Sequence, residues 1–406
     1  MTICKIYKDH RSSIFFYKNC LGIIKKKIGE KMKSIFLFSF NIALIGNIYG
    51  QIIDDNIANM MSEGWRQQTT YQNIRKGNLP TKQIDIDINR SDYKERYQDL
   101  INLMDRSFEN SQTRALLIAK DGQLIYERYL PGKTSRRSTP IGNSMSKSLV
   151  SLAVGKSLCD GSISSISVKS KTIHEGLSGT SWGEASVLDL LKMSSGAFYT
   201  DPQRPTGWKN QEDIQINRAI YSRQLQKSFL ELMQAMDNKE FIPGSRFNYN
   251  NYDTVALNLI VEKATRRSFS KYFEDSIWKD VLPEASGAWV TNEKGEAAGY
   301  FGFSATPRDW IRIGQYVLES LPKNDCFGQY LREATREQIV ANWPVNHSYG
   351  YQIWTKCTNV PDSFCFIGNH GQQLIFDPKN NIVLYAHASS NSTNSIWRTA
   401  FQLIHR

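Results

Sequence analysis

The chain of 406 residues has no Cys-x-x-Cys pair, and its six histidines stand at no metal-ligand spacing, so no metal centre is expected. Internal repeats and low-complexity runs are absent, which argues against a solenoid or a disordered array. A bilayer-spanning run is missing too: the apolar stretch from Ile35 to Ile45 is short, is interrupted by Asn41 and ends at Gly46 and Asn47. A basic stripe is also lacking. The net charge is +11, but nine Lys and Arg against Asp9 and Glu30 place +7 of it in residues 1–33, leaving +4 on everything that follows. A surplus that small does not neutralise a row of phosphates, so no nucleic-acid partner is expected.

At the N-terminus, Lys25, Lys26, Lys27, Lys31 and Lys33 precede the apolar run, and Gly46 and Gly50 follow it. Charged, then apolar, then small is the order of a secretory signal peptide. Residues 1–50 therefore read as leader and signal, with Met32 as an alternative start. The chain is expected to be an exported bacterial protein, periplasmic or secreted, with no stable membrane span after signal removal. A permanently anchored N-terminal helix is the rival expectation. Cys4 and Cys20 fall in the segment that would be lost, and Cys159, Cys326, Cys357 and Cys365 remain for disulfides. Cys357 and Cys365 flank a short loop that a bridge would close easily, but four cysteines allow three pairings and the sequence does not choose.

Residues 51–110 are polar and turn-rich, with one amphipathic stretch near Tyr97–Phe108, and read as a segment wrapping a main domain over 111–404. Strands are expected at Arg114–Ala119 and Leu124–Tyr129 around the Asp121-Gly122 turn. Helical patterns cover Ser144–Leu158, Val187–Met193, Gln224–Met236, Tyr252–Ala264 and Pro307–Leu321. Strands return at Tyr349–Thr355, Phe364–Ile367, Gln373–Phe376 and Ile382–Ala388, and Asn391–His405 closes the chain as an amphipathic helix. Strands at both ends with helices between predict an α/β fold of the α+β type: an antiparallel sheet flanked by terminal helices, plus an all-helical insertion over about 160–300.

Ser-x-x-Lys at a helix start puts a hydroxyl and an amine one turn apart on one face, where the helix dipole favours an alkoxide. The spacing occurs five times, at Ser91, Ser144, Ser268, Ser276 and Ser320, so context decides. Only Ser144/Lys147 follows a turn (Thr139-Pro140-Ile141-Gly142-Asn143) and opens a helix of small and apolar residues, in which a buried lysine needs a task. The bland alternative is a serine cap beside a solvated lysine. Further on, Tyr249-x-Asn251 stands between a Pro243-Gly244 turn and a helix: the phenol would relay protons, and the amide would bond an acyl group or the lysine. Third, Gly368-Asn369-His370-Gly371-Gln372 lies between two strands. There a backbone N–H, Asn369 preferred with Gly368 and His370 as alternatives, would pair with that of Ser144 as an oxyanion hole. Alone, the second reads as a packed surface tyrosine and the third as a plain hairpin turn.

These pieces, in this order, resemble the serine β-lactamase/penicillin-binding-protein superfamily, and within it the class C-like esterases and 6-aminohexanoate-oligomer hydrolases. Val187-Leu188-Asp189-Leu190-Leu191-Lys192-Met193-Ser194-Ser195-Gly196 is similar to that branch's DLLTMTSG segment. Gly302–Gly314 is similar to its LSATARDLARFG segment, and Gly371-Gln372 leading to Asp377-Pro378 to its GQ…VDP strand pair. The resemblance covers about residues 110–404. It implies Ser144 as acylated nucleophile, Lys147 and Tyr249 as its proton-handling partners, Asn251 as a positioning residue, and His370 in a supporting place. It also implies Tyr199 near the substrate, a small ester or amide as substrate, and no cofactor. Which of Lys147 and Tyr249 is the acylation base stays open. The usual Lys-Thr-Gly and Ser-Asp-Asn are absent, and His370 is a weaker cation than lysine, which turns the expectation from β-lactams toward esters and amides.

A β-lactamase or D-Ala-D-Ala-type peptidase of the same fold is one alternative, and a catalytically silent ligand-binding or sensor domain another. Gly179-Thr180-Ser181-Trp182-Gly183 fits the Gly-x-Ser-x-Gly of α/β-hydrolases, but a nucleophile elbow needs an apolar strand before it, and Lys169–Ser178 is polar.

Overall fold

Asp121 and Gly122 take up left-handed backbone, with φ of 51° and 83°, as a two-residue hairpin turn requires. In the computed structural model this turn lies inside a sheet of eight strands. The structure describes residues 65–85, 93–109, 112–197, 227–237, 239–341, 347–358, 360–389, 400 and 403–404. In chain order the strands are β1 (Thr70–Ile74), β2 (Thr113–Lys120), β3 (Gln123–Tyr129), β4 (Gly287–Thr291), β5 (Phe303–Ser304), β6 (Ile339–Ala341), β7 (His347–Tyr349), β8 (Trp354–Thr355), β9 (Phe364–Gly368), β10 (Gln372–Asp377) and β11 (Ile382–Ala388). The large sheet runs β3-β2-β11-β10-β9-β8-β7-β6, antiparallel throughout, so strands from both ends of the chain meet where β2 pairs with β11. A second sheet, β1-β4-β5, joins the N-terminal segment to the later chain.

Period-2 alternation sorts the large sheet into two cores. Leu116 and Ile118 of β2 and Leu384 and Ala386 of β11 face Leu100, Met104 and Phe108 of α1 (Tyr93–Glu109), together with Ala400 and Ile404. Ala115, Leu117 and Ala119, with Val383 and Tyr385, face the other core. Against that face pack α2 (Met145–Cys159) and α7 (Pro307–Ser320). Between them in sequence lie α3 (Val187–Leu191), α4 (Phe229–Met236), α5 (Asn251–Thr265) and α6 (Phe269–Phe273), and α8 (Cys326–Ala334) follows. Ser186 and Ser228 cap α3 and α4 with full capping boxes, and Thr306 with Pro307 opens α7.

Three expectations change. The insertion is not all-helical, because Gly287–Thr291 forms β4. Its five residues are all buried, so it carries no polar alternation to betray a strand. Tyr349–Thr355 is not one strand: Gln352 is left-handed at φ 56° and splits it into β7 and β8. Gln352 takes that conformation because its backbone N–H donates to Leu191 O (2.8 Å) and its side chain bonds Leu190 O and the Thr254 hydroxyl. The helix expected at Gln224–Met236 begins at Phe229, and residues 224–226 lie outside the described residues, as do residues 1–50 and most of Asn391–His405. Among the described residues, no helix is long and apolar enough to cross a membrane.

Two disulfides settle the pairing. Cys159–Cys326 ties the end of α2 to the start of α8 across 167 residues, and Cys357–Cys365 closes a loop of separation 8. Loop-closure entropy grows with length, so the first is expected to contribute about 5 kcal/mol and the second about 2.5 kcal/mol. Guanidinium unfolding of the two double-serine variants checks this; equal losses, or a larger loss for the short loop, would contradict it.

Candidate active site

The turn before α2 is built to present Ser144. Asn143 is left-handed at φ 48°, and a Cβ on Gly142 would lie 2.5 Å from the Trp310 ring, so only glycine lets the chain pass. Gly142 N–H donates to Phe303 O at 2.8 Å, which fixes the turn to β5. Ser144 is the N-cap residue of α2 and is half-buried, reachable from solvent. Every residue of α2 except Lys156, Leu158 and Cys159 is buried. Its buried serines are all satisfied: Ser146 Oγ accepts from Phe303 N–H, Ser148 bonds Gln352 O, Ser151 bonds the Tyr330 hydroxyl and Ser157 bonds Val154 O.

Lys147 is 1% exposed. Its Nζ stands 3.0 Å from Ser144 Oγ and donates to Tyr300 O at 2.7 Å. The faces of Tyr249 and Tyr300 lie 5.0 and 5.7 Å from the same nitrogen. Tyr300 was invisible to motif reasoning because it contributes a backbone carbonyl, which any residue type supplies.

Tyr249 hydrogen-bonds the Ser144 side chain, and burial pushes its hydroxyl well above the usual phenol range. The residue as a whole is half-buried. The ring stacks on Trp354 at 5.6 Å, with Phe247 and Tyr349 alongside. The loop is clamped from below. Asn248 N–H donates to Met193 O (2.7 Å), Gly244 N–H to Ser194 O (2.7 Å), and the Asn248 and Asn250 amides both donate to Ala197 O. Asp253, 0% exposed, accepts from Trp182 Nε1, the Ser195 hydroxyl, Ser195 N–H and the Asn250 amide. Burial pushes its carboxyl up to about 8, against the pull of the Ser195 and Trp182 hydrogen bonds.

The third piece closes the site. β9 ends at Gly368, where a Cβ would lie 2.3 Å from Gly142 O, so this strand end abuts the Ser144 turn. The Asn143 amide donates to Asn369 O at 2.8 Å. Of the three candidate oxyanion donors, Gly368 stands in the ladder opposite Gln372, and His370 N–H donates to Asn369 Oδ1 at 3.0 Å. Asn369, between them, is half-buried.

The structure thus brings Ser144, Lys147 and Tyr249 together and sets the turn that holds Asn369 and His370 against Asn143, next to Ser144. Asn251 is the first residue of α5, one position past its cap Asn250, and Asn250 rather than Asn251 secures the helix start through bonds to the N–H groups of Tyr252 and Asp253. Tyr199 lies outside the described residues. Ser181 is 3% exposed in a four-residue helix preceded by a 3₁₀ turn rather than a strand, so it sits on no nucleophile elbow. A surface cavity of about 370 Å³ touches Lys156, at the far end of α2 from Ser144, and takes no part in the site. Among the described residues, no cluster of His, Cys, Asp or Glu is arranged to hold a metal ion.

A model of the family described as Beta-lactamase matches residues 105–406. The 6-aminohexanoate-dimer hydrolase of Paenarthrobacter ureafaciens is 25% identical over 312 residues, 69% of this chain and 74% of that protein. Among solved structures, a Bacillus anthracis protein provisionally described as a 6-aminohexanoate-dimer hydrolase superposes with a TM-score of 0.66 at 22% identity, covering 84% of this chain and 92% of its own. A penicillin binding protein from Bacillus halodurans gives 0.60 at 16% identity, covering 74% and 99%. At such identities these two likenesses establish the fold, which is β-lactamase-like.

Asp253 offers a test of this scaffold. A carboxyl raised in the folded state stabilises most fully below its unfolded value of about 4, and that contribution is lost as the pH rises toward about 8. Asp253→Asn removes the titration. Its stability relative to wild type is therefore expected to improve between about pH 5 and about pH 8.5 in urea unfolding. A difference that stays level, or moves the other way, would mean that Asp253 is ionised in the fold.

Proposed function

The chain belongs to the Beta-lactamase family, and on that premise we propose that it is a serine hydrolase cleaving ester or linear amide bonds of small molecules through an acyl-Ser144 intermediate. The observation that carries this is the convergence of Lys147 Nζ and the Tyr249 hydroxyl on one oxygen, Ser144 Oγ. As an unprotonated amine, Lys147 has two N–H groups and one lone pair. One N–H is occupied by Tyr300 O, and the lone pair takes the Ser144 proton as Oγ attacks the carbonyl carbon. Burial favours the uncharged amine beforehand, and the two tyrosine faces help the ammonium that forms. The raised Tyr249 phenol keeps its proton in the resting enzyme, which makes it the acid for the leaving group; the Lys147 ammonium then gives the proton it took from Ser144 to the phenolate, which leaves both groups as they began. The oxyanion rests on the N–H groups of Ser144 and Asn369. Water then attacks the acyl ester by the reverse route, releasing the acid and free Ser144.

The Paenarthrobacter relative is named for a linear amide dimer, which supports the amide side of this reading. Gly368-Asn369-His370-Gly371 stands where β-lactam-recognising members carry Lys-Thr-Gly, so β-lactams are expected to be poor substrates. The proposed setting is outside the cytoplasm, in keeping with the basic-then-apolar order of residues 25–45 and with two disulfides that an oxidising compartment would keep.

The test compares kcat/KM, which reports acylation, on a p-nitrophenyl ester and on a linear aminohexanoate amide. Ser144→Ala and Lys147→Ala are expected to lose roughly 10³-fold or more on both. Tyr249→Phe is expected to lose roughly 10²-fold or more on the amide and far less on the ester, whose leaving group departs without a proton. Full activity in Lys147→Ala would sink the reading, and equal losses in Tyr249→Phe would remove the tyrosine from its role as acid.

A further inference from the structure

We propose that Gln372 and Asn143 are positioning residues that grip the Asn369–Gly371 turn from opposite sides and so set the direction of its backbone N–H groups. This rests on the reading of Ser144 as acylated nucleophile and of that turn as one wall of its oxyanion hole.

The turn needs holding. His370 lies at φ 60°, ψ 30°, and Gly371 at φ 78°. Two left-handed residues in succession, one of them a histidine, persist only where the surroundings fix them. On the core side, Gln372 Nε2 donates to His370 O at 3.1 Å and to Ala388 O at 2.8 Å, while its Oε1 meets His387 Nδ1. Gln372 is 1% and His387 0% exposed. The orientation of that amide is determined. Turned over, its oxygen would face two carbonyl oxygens and its nitrogen would face His387, so the bonds satisfy all partners only with Nε2 toward His370. His387 must then carry its proton on Nδ1. Burial pushes this imidazole down to about 3, so it stays a neutral donor at working pH. On the cleft side, Asn143 Nδ2 donates to Asn369 O at 2.8 Å. Asn143 is itself left-handed and immediately precedes Ser144. The carbonyls of two successive residues, 369 and 370, are thus tied to different partners, one to the nucleophile's own turn and one, through Gln372, to buried β11; with Gly368 paired to Gln372 in the ladder just before them, Asn369 is held on both sides of its Cα and the direction of its N–H with it. The hole's two halves are held in register by side chains that touch neither substrate nor reacting atoms.

The experiment measures kcat and KM for an alkyl oxoester and its thionoester in wild type, Gln372→Met and Asn143→Asp, with thermal midpoints. Hydrogen-bond donors hold a developing oxyanion far better than a developing thiolate-like sulfur, so a displaced hole lowers the oxoester preference, which a general loss of stability leaves alone. Both variants are expected to lose roughly 10-fold or more in kcat on the oxoester, with KM little changed and the oxo-to-thiono ratio reduced. Should Gln372→Met fail to fold, Asn143→Asp, at a half-buried position and with a side chain that tolerates left-handed backbone, decides alone. Wild-type rates, or lower rates at an unchanged ratio, overturn the inference while the hydrolase reading stands. A wild-type protein that cleaves neither ester overturns that reading and this one with it.

Discussion

An amine placed three residues into a helix that protein surrounds almost completely costs free energy unless each of its hydrogens and its charge is provided for. Lys147 is in that position, and much of the structure follows from it. The segment Tyr300–Ser304 wraps the first turn of α2: Tyr300 offers the carbonyl that Lys147 needs, Phe303 N–H bonds Ser146, and Phe303 O holds Gly142. β5 is only two residues long, but it pins this segment to β4, and through β4 to the N-terminal strand β1. The amine is therefore presented to Ser144 by three stretches of chain far apart in sequence.

The same logic explains why the segments of family character that carry no nucleophile matter. Met193–Ala197 supplies carbonyls that seat the Tyr249 loop, and Asp253 gathers four donors, two from Ser195, one from Asn250 of that loop and one from Trp182. Gln352 binds α2, α3 and α5 to each other through both its backbone and its amide. None of these bonds is made by Gly368–Gly371, so the frame does not dictate the chemistry of that turn.

The sequence made the frame's ends legible. β2, β3, β9, β10, β11, α2, α5 and α7 follow from period and turn chemistry to within a residue or two at most ends. β4 was hidden because a strand buried on both faces has no alternation, and the break at Gln352 because its left-handed backbone is imposed by partners 98 to 204 residues away. Ser144, Lys147 and Tyr249 were legible from a helix start of unusual apolarity and from order along the chain. Tyr300, Asn143, Gln372 and His387 were not, since a carbonyl, two amides and a buried imidazole at irregular spacing leave no pattern until the chain is folded.

The central claim is that Ser144 Oγ is the nucleophile. Mass spectrometry of the protein after treatment with a fluorophosphonate probe, beside a Ser144→Ala control, tests it directly. One adduct, on the peptide carrying Ser144 and missing from the control, is the result this account predicts. An adduct on Ser181, or none on a folded protein under conditions that label an ordinary serine hydrolase, would contradict it.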